Sequence, residues 1–83
     1  MKIETFYTGG GIWLSQYDAG GGYYAVVSSD HPECLSIYLQ TDGEDDLYLP
    51  ENMVSSKNLD ELNPEQKGVH AILKAELEQK GAL

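Results

Sequence analysis

The sequence contains no arginine. All five of its basic residues are lysines, set against fourteen Asp and Glu, so the 83-residue chain carries a formal charge of -9. Nucleic-acid binding rests on cations that neutralise phosphates. The shortage of cations therefore argues against direct contact with DNA or RNA, and against an anionic membrane surface. Cysteine is nearly missing too. Cys34 stands alone, so no intrachain disulfide can form and a reducing compartment is expected. No apolar run approaches the ~20 residues of a membrane-spanning helix. The opening Met1-Lys2-Ile3-Glu4 lacks the apolar stretch of a secretory signal. A soluble cytoplasmic protein is the expectation.

What is present suffices for a small core. Hydrophobic residues make up 41% of the chain, too many for wholesale disorder, and the length suits one domain covering residues 1–83. Charge is uneven along it. Residues 1–56 hold nine acids and Lys2, for a net -8, whereas residues 57–83 hold five acids and four lysines, for a net -1. The natural complement of such a field is a basic protein surface, because opposite charge speeds encounter. Net charge also serves solubility alone.

Residues 2–8, 12–17, 23–28 and 34–40 are rich in β-branched and aromatic side chains and read as strands. A short fifth strand is expected at 47–49. Two glycine triplets, Gly9-Gly10-Gly11 and Gly20-Gly21-Gly22, separate the first three strands and predict a meander. Each triplet leads into a strand, not into the helix N-terminus that a phosphate-cradling loop requires. Pro32 has no amide for a ladder, so residues 30–33 read as a loop. Residues 1–49 form the sheet region, 50–62 a connector with a helical turn near 59–62, and 63–81 a helix. Asn63 suits the N-cap, Pro64 the first helical position, Gln66 a capping box and Gly81 the stop. Val69, Ile72, Leu73 and Leu77 fall on one stripe. The fold class is α+β: an antiparallel meander sheet of four to five strands with one C-terminal helix packed on one face.

Alternation places Leu35, Ile37 and Leu39 on one face of the fourth strand, and Ile12 and Leu14 on one face of the second. Matching aliphatic with aliphatic leaves Trp13, Tyr17 and Tyr38 together on the other face, with Tyr23 or Tyr24 depending on register. Tyr and Trp are frequent anchors of protein interfaces, so Trp13, Tyr17 and Tyr38, with the carboxylates Asp42, Glu44, Asp45 and Asp46, are the candidate partner-binding residues. Self-association through the aromatic face, as a homodimer or higher oligomer, is the other use for them.

Catalytic and metal motifs are poorly supported. His31 and Cys34 are an H-x-x-C pair without the second pair that structural zinc needs. His31 reads as an exposed loop residue and Cys34 as a half-buried strand residue. Asp42, Glu44 and Asp46 alternate as in a calcium loop, but Leu47 and Met53 occupy the positions where that loop needs Gly and Glu. No serine has a nucleophile-elbow context. No cofactor, no metal and no catalytic residue is expected.

Thr5-Phe6-Tyr7-Thr8-Gly9-Gly10-Gly11-Ile12-Trp13, Cys34-Leu35-Ser36-Ile37-Tyr38 and Leu49-Pro50-Glu51-Asn52-Met53-Val54-Ser55-Ser56-Lys57 resemble small acidic proteins of gut bacteria, their phages and mobile elements. These stretches cover less than half of the chain. That group includes anti-CRISPR inhibitors. The resemblance implies an inhibitor in a bacterial host cell that blocks a nucleic-acid groove, such as that of a CRISPR nuclease, by imitating phosphate charge. The order of four strands then a helix also resembles the transcriptional-coactivator (positive cofactor four) single-strand-binding fold. That resemblance implies a dimer that binds, nicks or remodels DNA, although this chain lacks the family's basic surface. A housekeeping oligomer is the third expectation.

Overall fold

A computed structural model describes residues 2–40 and 52–83. Five strands run in chain order: β1 (Ile3–Gly9), β2 (Ile12–Gly20), β3 (Tyr23–Ser28), β4 (His31–Leu39) and β5 (Met53–Asn58). A 3-10 turn (Leu59–Glu61) and helix α1 (Pro64–Gln79) follow. The sheet order is β1-β2-β3-β4-β5 and every pairing is antiparallel. This is the α+β meander with a C-terminal helix that the sequence predicts.

The glycine triplets make the first two turns. Gly9 pairs with Ile12 and Gly20 with Tyr23, leaving Gly10-Gly11 and Gly21-Gly22 as two-residue loops. Their φ angles are 62° and 80°, and 65° and 84°. Positive φ at both central positions is the requirement of the type I′ hairpin turn, whose twist matches that of the strands.

Two expectations about the later strands are corrected. Residues 31–33 belong to β4 and not to a loop. The register slips between Val26↔Ser36 and Ser28↔His31, so the absent amide of Pro32 falls in an irregular stretch where the ladder is already broken. Residues 53–58, expected within a connector, form β5. Met53-Val54-Ser55-Ser56-Lys57-Asn58 is too polar to announce a strand, but β4 supplies the ladder that holds it. The expected strand at 47–49 lies outside the described residues.

α1 starts and stops as its sequence dictates. Asn63 Oδ1 accepts from the Gln66 amide at 2.8 Å, and Gln66 Oε1 accepts from the Asn63 amide at 3.0 Å. At the other end the Ala82 amide donates to Leu77 and the Gly81 amide to Glu78, the paired bonds of a Schellman stop. The buried face is His70, Leu73 and Leu77. Ile72, expected on the stripe, is exposed. His70 takes the inward position because its Nε2–H donates to the Pro32 carbonyl at 2.6 Å, which satisfies the buried ring.

Leu73, Leu77 and Val27 are fully buried, with Ala25, Leu35 and Leu62 around them. Register decides which side of β2 meets this core. Ser15 lies opposite Val27, and Tyr17 opposite Ala25, which lies opposite Ile37. Trp13, Ser15 and Tyr17 therefore point to the helix, while Ile12 and Leu14 occupy the other face. The expected grouping of Trp13 and Tyr17 with Tyr38 is overturned. Alternation within each strand was legible, but the phase between strands follows hydrogen-bond register and not residue type.

Gly10→Ala places a side chain at φ 62° with open space around it, so backbone strain alone is expected to cost about 1–2 kcal/mol. Gly68, on α1, also has nothing within 4 Å of an added Cβ, and Gly68→Ala is expected to stabilise by about 0.5–1 kcal/mol. Urea midpoints at unchanged slope check both signs.

Candidate functional site

α1 covers one side of the sheet. Three cross-strand rows line the other, which faces away from the helix. Glu4, Gln16, Val26, Ser36 and Ser56 form the first row, and Phe6, Leu14, Ser28 and His31 the second. Asp18, Tyr24, Tyr38 and Met53 form the third. Leu14 and Val26 are buried at the centre of this face. They floor an open groove of about 510 Å³ whose polar walls are Thr8, Ser28, Asp30, His31, Cys34, Ser36, Tyr38 and Ser56. That volume lies within the range of ligand pockets.

The groove's polar groups are partly organised. Ser28 Oγ donates to Asp30 Oδ1, and His31 Nε2 stands 3.7 Å from Asp30 Oδ2. Ser36 and Ser56 hydroxyls share a hydrogen bond of 3.3 Å across β4 and β5. Burial, and after it the Asp30 carboxylate, push the Tyr38 phenol above its usual range, so it remains a neutral donor and acceptor. Serine, histidine and aspartate do not form a relay here, because the serine donates directly to the carboxylate and the imidazole stands outside that bond. Among the described residues no three His, Cys, Asp or Glu side chains converge as metal ligands.

The open side carries acids, whereas α1 is balanced, with Glu65, Glu76 and Glu78 set against Lys67, Lys74 and the C-cap Lys80. Glu4, Asp18 and Asp30 stand on the open side; Lys2, beside them, is 3.7 Å from Glu4. Lys57 lies opposite Leu35 and so faces the helix side, and Lys67 and Lys74 ride on α1, with Lys80 at its C-cap. Gln16 Nε2 donates to Glu4 at 3.3 Å and the Gly20 amide to Asp18 at 2.8 Å, which fixes both carboxylates.

Of the residues singled out in the sequence, Tyr38 is at the groove. Trp13 and Tyr17 pack against the core from the helix side, where Trp13 meets Tyr7 edge to face at 5.6 Å. Asp42, Glu44, Asp45 and Asp46 lie outside the described residues. Register selects Tyr24, opposite Tyr38, over Tyr23; sequence reasoning missed Asp18, Ser28 and Asp30. The signal for the first was present: Gln16 and Asp18 share the parity of Ile12 and Leu14, and two polar residues on that parity oppose burial of that face.

Cys34 also lies on the groove side, its thiol donating to Asn58 Oδ1 at 3.0 Å. Desolvation first, then the carboxylates of Glu33 and Glu61, raise its pKa. The thiolate, not the thiol, attacks. At about pH 8 an aromatic disulfide reagent is therefore expected to modify Cys34 more slowly in the folded protein than in urea. Glu33→Gln with Glu61→Gln is expected to speed the folded-state reaction. Equal rates in folded and unfolded chains would contradict this.

No family model, no curated protein and no solved structure matches the chain.

Proposed function

We propose that this chain is a non-catalytic protein-binding module, an inhibitor whose acidic open face docks on a basic protein surface and excludes nucleic acid from it. The observation that carries the reading is the set of acids on the open face: Glu4, Asp18 and Asp30 stand on the side of the groove, while four of the five lysines sit on the helix side, where Glu65, Glu76 and Glu78 offset three of them. A phosphate-binding surface meets carboxylates in place of phosphates, and the lysines are turned away from it.

The groove adds contacts that charge alone does not supply. Leu14 and Val26 give an apolar floor, and Tyr24, Tyr38 and the Ser36–Ser56 pair offer neutral hydrogen-bonding groups. Such a mixture suits the aliphatic stems and charged heads of lysine and arginine side chains. Asp42, Glu44, Asp45 and Asp46 lie between β4 and β5 in the sequence and belong to the proposed partner-binding set.

Affinity capture from bacterial lysate tests the reading. The expected result is a basic nucleic-acid-binding protein that duplex DNA elutes from the immobilised chain. It should also leave when ionic strength rises from about 0.1 M to about 1 M, as the screening length falls from about 10 Å to about 3 Å. Asp18→Lys with Asp30→Lys, checked for folding by circular dichroism, should retain at least about tenfold less. Capture that ignores both salt and charge reversal contradicts the proposal. So does a gel shift of DNA by the chain itself, which would favour the coactivator-like alternative.

A further inference from the structure

We infer that the groove on the open face seats an arginine side chain of the protein partner, its guanidinium paired with Asp30. The inference rests on the open face being the docking face and adds which cation that face selects. Among the described residues that line the groove, Asp30 is the only acid, so a cationic head entering it has one place to go. Glu4 and Asp18 stand on the same face but outside the lining; they attract without selecting. Asp30 is held in position. It lies in the tight turn between β3 and β4, where Ser28 pairs with His31. The Ser29 amide donates to the Trp13 carbonyl at 2.9 Å, and Ser29 Oγ accepts from the Trp13 amide at 2.9 Å, which ties the turn to β2. Ser28 Oγ donates to Asp30 Oδ1. His31 Nε2 stands 3.7 Å from Oδ2 on a side chain that is 70% exposed. That is beyond hydrogen-bond reach, so acceptor positions stay open on both carboxylate oxygens.

The surroundings of Asp30 favour guanidinium over ammonium. A carboxylate open at both oxygens matches the planar fork of arginine, which binds through two parallel hydrogen bonds, whereas lysine brings a compact point charge. The rest of the wall supplies neutral oxygens, the Ser36 and Ser56 hydroxyls and the Tyr38 phenol, as acceptors for the remaining N–H groups of a five-donor head. Burial, and then the Asp30 carboxylate, raise the Tyr38 phenol, so the field of Asp30 extends along the groove to that ring. Leu14 and Val26 are buried at the floor and receive the aliphatic stem. Guanidinium is more weakly hydrated than ammonium and loses less water on entering a site that is apolar beneath and polar at its walls.

Calorimetric titration of the full chain with short glycine-spaced peptides of equal length and charge tests the inference. One peptide carries arginine, one lysine and one dimethylarginine, which keeps the charge and blocks the paired hydrogen bonds. The arginine peptide should bind at least about tenfold more tightly than either of the others. Asp30→Asn, which keeps an acceptor for Ser28, should erase that preference. Asp18→Asn should weaken all three peptides alike and preserve it. Circular dichroism checks that both variants fold, and the wild-type comparison of peptides stands without them. Equal affinity for the three peptides overturns the arginine site and leaves charge-driven docking intact. Binding of none overturns both. A preference that survives Asp30→Asn, or one that Asp18→Asn erases, overturns the assignment to Asp30.

Discussion

Two leucines hold this molecule together. Leu73 and Leu77 of α1 are fully buried against Val27, with Ala25, Leu35 and Leu62 around them. Each buried leucine contributes roughly 1.5–3 kcal/mol, a large share of the stability of a small domain. His70, one turn earlier, ties the same helix face to the carbonyl of Pro32. The bond anchors α1 at the irregular start of β4. Among the described residues a single 16-residue helix covers one face of the five-stranded sheet and leaves the other face, with its groove and acids, uncovered.

The placement of charge rests on the same packing. Lysines on α1 and on the inward parity of β5 are held on the helix side by the packing just described. Acids on the open side are held by local bonds, Gln16 to Glu4, Gly20 to Asp18 and Ser28 to Asp30. The open side is therefore acidic, while on α1 Glu65, Glu76 and Glu78 balance Lys67, Lys74 and Lys80. The groove is lined mostly by hydroxyl, phenol and thiol groups over the aliphatic floor of Leu14 and Val26.

Much of the architecture was legible in the residues because it depends on local chemistry. The hairpins could be read from paired glycines, and the helix from Asn63, Pro64, Gln66 and Gly81, whose roles are met within a few residues of chain. β5 was hidden because Met53-Val54-Ser55-Ser56-Lys57-Asn58 becomes a strand only when β4 lies beside it. The face of Trp13 was hidden for a related reason. Alternation marks two faces on every strand, but only the register between Tyr17, Ala25 and Ile37 decides which faces join. His70 was overlooked on the inner stripe because its acceptor, Pro32, is distant in sequence. Of the candidate site, Tyr38 was legible, whereas Asp18 and Asp30 gain meaning only once the uncovered face is known.

The central claim is that the open face receives the basic partner. An amide chemical-shift titration of the full chain with a short arginine-rich peptide probes it most directly. The account predicts saturable, salt-sensitive shifts concentrated at Gln16, Asp18, Tyr24, Asp30, Ser36 and Tyr38, with α1 unaffected. Shifts centred on Glu65, Glu76 and Glu78 of α1, or spread evenly over every exposed acid, would contradict it.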